Sequence, residues 1–261
     1  MEKHTFVICA FRQSPYLEDC IQSCINQNSV ITGESKVILY TSTPNDYIIE
    51  QCRKYNIPFF EKEGGGIGRD WNNALSFVQT KYATIAHQDD VYLPEYGEKI
   101  ISEFEKSKEY NIVFSDYEEN DFNGEIRKRG INLKIKTIAL TLMFLFKNKR
   151  YQRRVYSFGN FISCPAVSYN LERLKDFRFN EKLKMTLDWD AWERIMKLPG
   201  KIGFVKDKLM YHRIHEDSET TNNTKDQTRV IEELEMYQRY WGVTIAKFLM
   251  RFYVLNQKSN Q

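Results

Sequence analysis

Short apolar, β-prone runs alternating with amphipathic stretches set the strongest limit on how this chain folds. Thr5–Ala10, Lys36–Tyr40, Ile57–Phe60 and Tyr82–Ala86 are such runs. Helix-like stretches separate them: one opened by Pro15 and reaching about Asn26, one from Pro44-Asn45-Asp46 to about Tyr55, and one from Trp71 to Val78. Parallel neighbours need a crossover between them, so this alternation predicts a largely parallel sheet with helices on both faces. The expected fold class is α/β, and 261 residues with 42% hydrophobic content are enough to bury its core.

In an open sheet of this kind, ligands collect outside the C-terminal strand ends. The fourth run ends in His87-Gln88-Asp89-Asp90, and Pro94 then favours a helix from about Glu95. Adjacent carboxylates repel unless a cation lies between them. The pair therefore reads as a divalent-metal site beside a phosphorylated substrate, or else as a solvated acidic turn. The loop Gly64-Gly65-Gly66-Ile67-Gly68 can offer backbone N–H groups to phosphate. Its spacing fits neither the dinucleotide fingerprint nor the P-loop, and a flexible strand-to-helix turn is the plain alternative.

Beyond helix Glu95–Lys106 and strand Asn111–Ser115, Asn123-Gly124 marks a hairpin. Charge then becomes lopsided. No acid occurs from Ile126 to Leu171, where ten of the 38 Lys and Arg residues sit, leaving 28 against all 35 acids elsewhere. This basic belt, from Arg127 to Arg154, encloses the apolar run Ile138–Phe146. It suits either an interfacial helix on anionic lipid or a core helix with a solvated basic edge. A net charge of only +3 implies no nucleic-acid partner. Five scattered cysteines without a CxxC pair predict reduced, mostly buried thiols, and no apolar run reaches the roughly 18 residues of a membrane span. A cytoplasmic protein, at most peripheral on the inner face of the cell membrane, is expected.

Phe161–Tyr169 returns to strand-like composition. Thr186 can cap a helix whose first turn carries Asp188 and Asp190 and whose inner face holds Trp192, Ile195 and Met196. Tyr211-His212-Arg213-Ile214-His215 gathers two of the four histidines, and the segment from about Asp226 to Leu255 reads as helical.

Taken in order, Thr5–Arg12, Gly66–Ala74, Gln88-Asp89-Asp90, Leu187–Arg194 and Tyr211–His215 resemble the motifs of the family 2 glycosyltransferases. Those are nucleotide-sugar-dependent enzymes of GT-A fold that build bacterial surface polysaccharides. The resemblance covers about Thr5 to Thr221. It implies a Rossmann-like, open, mainly parallel sheet flanked by helices in residues 1–221, with a nucleotide-sugar half to about 116, an acceptor half from 117, and a C-terminal helical appendage over 222–261. Ala10, Phe11, Arg12 and Thr41 would then shape the nucleobase pocket, with Arg69 and Asn73 from the glycine-arginine-asparagine segment beside the donor. Gln88 would lie on the donor side, Asp89 would serve the ribose or the metal shell, and Asp90 would ligate Mn2+ or Mg2+ with His215 as a further ligand. Arg213 and Arg69 would compensate diphosphate charge, and Asp188 would be the catalytic base. Trp189, Asp190 and Trp192 would border the acceptor, the tryptophans offering flat surfaces to a sugar and desolvating Asp188.

The implied activity is inverting transfer from a nucleoside-diphosphate sugar, a UDP-sugar above others, to a glycan or lipid-linked acceptor. Peripheral contact with an anionic membrane and homo-oligomer formation are open. The sequence departs from the family pattern at three points. The second strand ends Tyr40-Thr41-Ser42-Thr43-Pro44 without acids, His87 or Gln88 replaces the first metal-segment acid, and Leu187 stands where glutamate is common. A sugar-phosphate nucleotidyltransferase and a non-catalytic sugar- or nucleotide-binding module are the alternatives.

Overall fold

The computed structural model describes residues 1–215 and 227–258, with side chains described for 1–215 and 228–250. The N-terminal half alternates as expected: β1 (His4–Ala10), α1 (Leu17–Ile25), α2 (Asn28–Ile31), β2 (Ser35–Thr41), α3 (Asp46–Lys54), β3 (Phe59–Glu61), α4 (Ile67–Ser76) and β4 (Tyr82–His87). The second half contains β5 (Val91–Tyr92), α5 (Tyr96–Glu105), β6 (Tyr110–Asn120), α6 (Ile131–Met143), α7 (Lys149–Tyr156), β7 (Val167–Asn170), α8 (Leu187–Lys197), β8 (Lys201–Arg213) and α9 (Gln227–Lys258).

All eight strands form one sheet in the order β3-β2-β1-β4-β7-β6-β8-β5. The first four are mutually parallel. β7 runs antiparallel to β4 and β6, and β5 antiparallel to β8, so the sheet is mixed rather than parallel throughout. Strand order reverses at β1, and the crevice between the C-terminal ends of β1 and β4 is the switch point where such sheets bind ligands.

Burial alternates along β1. Phe6 and Ile8 face a core with α1, α3 and α5, while Val7 faces one with α4, α8 and α9. On α1 the buried residues Leu17, Cys20, Ile21 and Cys24 repeat at helical spacing. The five cysteines are free and four are buried, as expected.

Two local expectations are corrected. Most of Phe161–Tyr169 is not strand: Pro165 lies in a short 3-10 turn at Cys164–Ala166, and pairing begins only at Val167. Thr186 occupies the N-cap of α8 but makes no side-chain cap. Instead the Glu232 carboxylate on α9 accepts the backbone N–H groups of Lys184, Met185 and Thr186 at 2.8–2.9 Å. The expected C-terminal helix is present as α9 and packs on the domain itself. Met236, Tyr237, Ala246 and Met250 belong to the same core as β1 and α8. The helix bends at Gly242, whose φ of +72° suits glycine alone. The expected boundary at 221–222 lies outside the described residues.

Candidate active site

β4 delivers the acidic segment to the switch point, and the loop after it is fixed from three sides. The Gln88 side chain exchanges two hydrogen bonds with the backbone of Phe11, accepting from its N–H at 2.9 Å and donating to its carbonyl at 3.1 Å. The Cys20 thiol donates to the His87 carbonyl at 3.1 Å. β5 pairs with β8 in the register Val91–Tyr211, which sets Asp90 beside His212. Asp90 is fully buried; its Oδ1 accepts the Arg213 backbone N–H at 3.0 Å and lies 2.9 Å from His212 Nδ1. Asp89 Oδ2 lies 3.0 Å from His215 Nε2.

Electrostatics follow from this packing. Burial opposes charge on His212, but the Asp90 carboxylate overcomes it and pushes the imidazolium up to about 9. Burial likewise raises the Asp89 carboxyl, yet the His215 hydrogen bond and the charges of His87 and His212 outweigh it and leave Asp89 below the usual carboxylate range.

His87, Asp89 and Asp90 each place a ligand atom within 4.8 Å of the others. Asp90 Oδ2 and His87 Nε2 are buried without a hydrogen-bond partner among the described residues. Unpaired buried acceptors of oxygen and imidazole type are what a divalent cation satisfies, so the residues present fit one. His87 thus stands where the family pattern has its first acid. It is held by stacking on Trp71 at 5.3 Å between ring centroids.

Asp188 opens α8. Its Oδ1 accepts from the Trp189 N–H at 2.8 Å and its Oδ2 from Asn160 Nδ2 at 2.6 Å. Burial raises its pKa, partly offset by these bonds and by the charge of Lys136. Side chains outside the sequence motifs lie beside both His212 and Asp188. His212 contacts the Tyr117 ring at 6.3 Å, and Lys136 Nζ donates to the Tyr117 hydroxyl at 3.1 Å. The charge of Lys136 is felt by both Asp188 and His212, and the buried Cys164 thiol feels the charges of both Asp188 and Asp90.

Other expected residues sit differently. Arg213 is 2% exposed, and its guanidinium is engaged by the Asp89 carbonyl, the Asp19 carboxylate and the face of Tyr16. It clamps the acidic loop through these contacts. Trp189 and Trp192, 4% and 0% exposed, turn inward onto Tyr237 and Tyr169 and present no face to a sugar. The desolvation of Asp188 therefore comes from its general burial. Asp190 points to the α9 side, bound by Arg194 and Arg239. Asn73 is buried and donates to the Tyr40 hydroxyl and the Glu63 carbonyl, holding α4 on β2. Thr41 is buried, and its hydroxyl accepts from the Thr43 N–H.

The remaining donor-side residues are open. Phe11, Arg12 and Arg69 are exposed, and Ala10 closes β1 beneath them. Arg12 adopts φ +55°, uncommon for a non-glycine residue, with its N–H on the Thr43 hydroxyl at 2.6 Å.

The eight-stranded mixed α/β sheet flanked by helices is the fold of GT-A glycosyltransferases. The model of glycosyl transferase family 2 matches residues 5–172, and the chain belongs to that family. A Methanocaldococcus jannaschii protein described as an uncharacterized glycosyltransferase is 26% identical over 210 residues, covering 76% of this chain and 66% of its own length. The minor teichoic acid biosynthesis protein GgaB of Bacillus subtilis is 24% identical over 215 residues, 80% of this chain but 23% of GgaB. The chain therefore spans about two thirds of the first relative and under a quarter of the second. S. aureus TarS, solved in complex with UDP-GlcNAc, superposes with a TM-score of 0.64 at 17% identity, covering 90% of this chain and 65% of that one. No helix among the described residues is long and apolar enough to cross a membrane.

Proposed function

We propose that this chain transfers a sugar, with inversion, from a nucleoside-diphosphate sugar to a hydroxyl of a glycan or lipid-linked acceptor, in the cytoplasm, during surface-polysaccharide or glycoconjugate synthesis. The supporting observation is the adjacent pair Asp89 and Asp90, the latter fully buried, pinned by His212, Arg213 and His215, with a further buried acid, Asp188, that feels the charge of Lys136. Family membership supplies the reaction class, and the TarS complex favours a uridine nucleotide.

His87, Asp89 and Asp90 would hold Mn2+ or Mg2+, which when bound supplies positive charge to a diphosphate. Arg69, at the start of α4, adds charge on the donor side. Gln88 keeps the Phe11 loop in place around the base. Asp188, deprotonated and held by Asn160 and the Trp189 N–H, accepts the proton of the acceptor hydroxyl as that oxygen bonds to the anomeric carbon. The bond from that carbon to the diphosphate oxygen breaks on the opposite face, and its electrons leave with the nucleoside diphosphate. Lys136, whose charge is felt by Asp188, would offset negative charge that develops there.

The test is a panel of nucleotide sugars with purified protein, with and without Mn2+, read by thermal shift and by phosphate products. One class of nucleotide sugar should stabilise the protein only with metal and release nucleoside diphosphate. Pyrophosphate-consuming exchange with sugar 1-phosphates would contradict this reading in favour of nucleotidyl transfer. Binding without release under any acceptor would favour a non-catalytic module.

A further inference from the structure

α6 is apolar on both of its sides. Leu133, Leu140 and Met143 turn inward and are buried. Ile131, Ile135, Ile138 and Leu142, spaced by three and four residues, turn outward and are 76%, 53%, 59% and 46% exposed. Leu145 and Phe146, at 59% and 60%, extend this stripe just past the helix. A surface helix of a water-soluble domain ordinarily turns polar residues outward, and a contiguous apolar stripe marks a surface that something covers.

The charges around the stripe identify the cover. Structure divides the basic belt in two. Arg129 is bound by Asp116 and Glu118, Arg153 by Glu193, and Lys149 by the Leu198 carbonyl. Arg127, Lys128, Lys134, Lys147 and Arg150 are exposed and form no ion pair among the described residues. No acid occurs between Ile126 and Leu171, and these five cations lie within and on either side of the stripe along the chain. Apolar side chains bordered by free Lys and Arg match an anionic bilayer, where the former enter the acyl boundary and the latter meet lipid phosphates. A second copy of the chain fits poorly, since pairing at this face would bring two basic belts together.

We propose that the outer face of α6 docks the protein onto an anionic lipid surface. The helix's inner side carries Lys136, which reaches Tyr117, and Thr137, which bonds Asp116 at 3.1 Å. Docking through α6 would thus bring the region around Asp188 to the bilayer, where a lipid-linked acceptor lies. That link to the acceptor rests on the proposed transferase reading, whereas the docking does not.

Vesicle co-sedimentation tests it, using phosphatidylcholine with and without phosphatidylglycerol. Wild-type protein should sediment with the anionic vesicles and be released by salt. The triple variant Ile131→Ser, Ile135→Ser, Ile138→Ser should partition roughly tenfold or more weakly. Lys128→Gln with Lys134→Gln and Lys147→Gln should lower partitioning on the order of a hundredfold. Thermal melts verify that each variant folds, and the charge variant decides if the apolar one does not. Equal wild-type partitioning onto both vesicle types, or no change in the folded variants, would overturn the proposal. So would a dimer seen by light scattering that the apolar variant abolishes. Metal-dependent nucleotide binding, measured without vesicles, separates this outcome from failure of the transferase reading.

Discussion

In the proposed reaction Asp188 is the base, and its surroundings set its proton affinity. Replacing it with Asn keeps the shape and removes the proton acceptor. Steady-state kinetics of Asp188→Asn should show turnover lowered by about 10²–10⁴ with donor affinity kept; normal turnover with collapsed donor affinity would contradict the role. Burial raises the Asp188 pKa and the charge of Lys136 pulls it down. The acid limb of the rate profile should therefore lie above the range of an ordinary aspartate, and Lys136→Met should move it higher still. His4 provides a stability counterpart. It is fully buried between Ser35 and Thr84, and burial lowers its pKa to about 3. Below the usual histidine pKa of about 6.5 the unfolded chain binds a proton that the folded one excludes, so stability is fullest above that pH and declines as pH falls towards 3. The contribution lost between pH 7.5 and pH 5 is about 2 kcal/mol, and chemical denaturation of His4→Gln should show a correspondingly shallower acid dependence.

At the level of elements, β8 and α9 do what no local pattern announces. The sequence shows His212 and Arg213 in one motif, but only the β5–β8 register reveals that His212 meets Asp90 while Arg213 closes on Asp19 and the Asp89 carbonyl. Lys136 and Asn160 lie in stretches with no motif of their own and reach the site because α6 and the chain after α7 pack beside β6 and α8. The parallel strands and the acid-bearing strand end were legible, since apolar runs and turn residues are local signals. The tryptophans were open to misreading: Trp189 and Trp192, three residues apart, share a helix face with Ile195 and Met196, and periodicity alone assigns that face to the core. Glu232 substitutes for a side-chain cap on α8 from far along the chain. Glu232→Ala leaves three N–H groups without their acceptor and should lower stability by about 2 kcal/mol in equilibrium unfolding.

Over the whole molecule, α9 completes the core rather than extending it. A truncation after residue 221 removes Met236, Tyr237, Ala246 and Met250 from the packing around α8, together with the Glu232 cap. Such a protein should lose its cooperative thermal transition, which circular dichroism would read; an unchanged melt would mean α9 is dispensable. The proposed reaction needs three acids in two separate duties: the carboxylate pair Asp89 and Asp90 that secures the donor through a cation, and a lone carboxylate, Asp188, that takes a proton. Calorimetry of UDP binding with Mn2+ to wild type, Asp90→Asn and Asp188→Asn tests that division most directly. The account predicts metal-dependent binding weakened at least tenfold in Asp90→Asn and changed less than about twofold in Asp188→Asn. Equal affinities in wild type and Asp90→Asn, or binding indifferent to metal in all three, would contradict it.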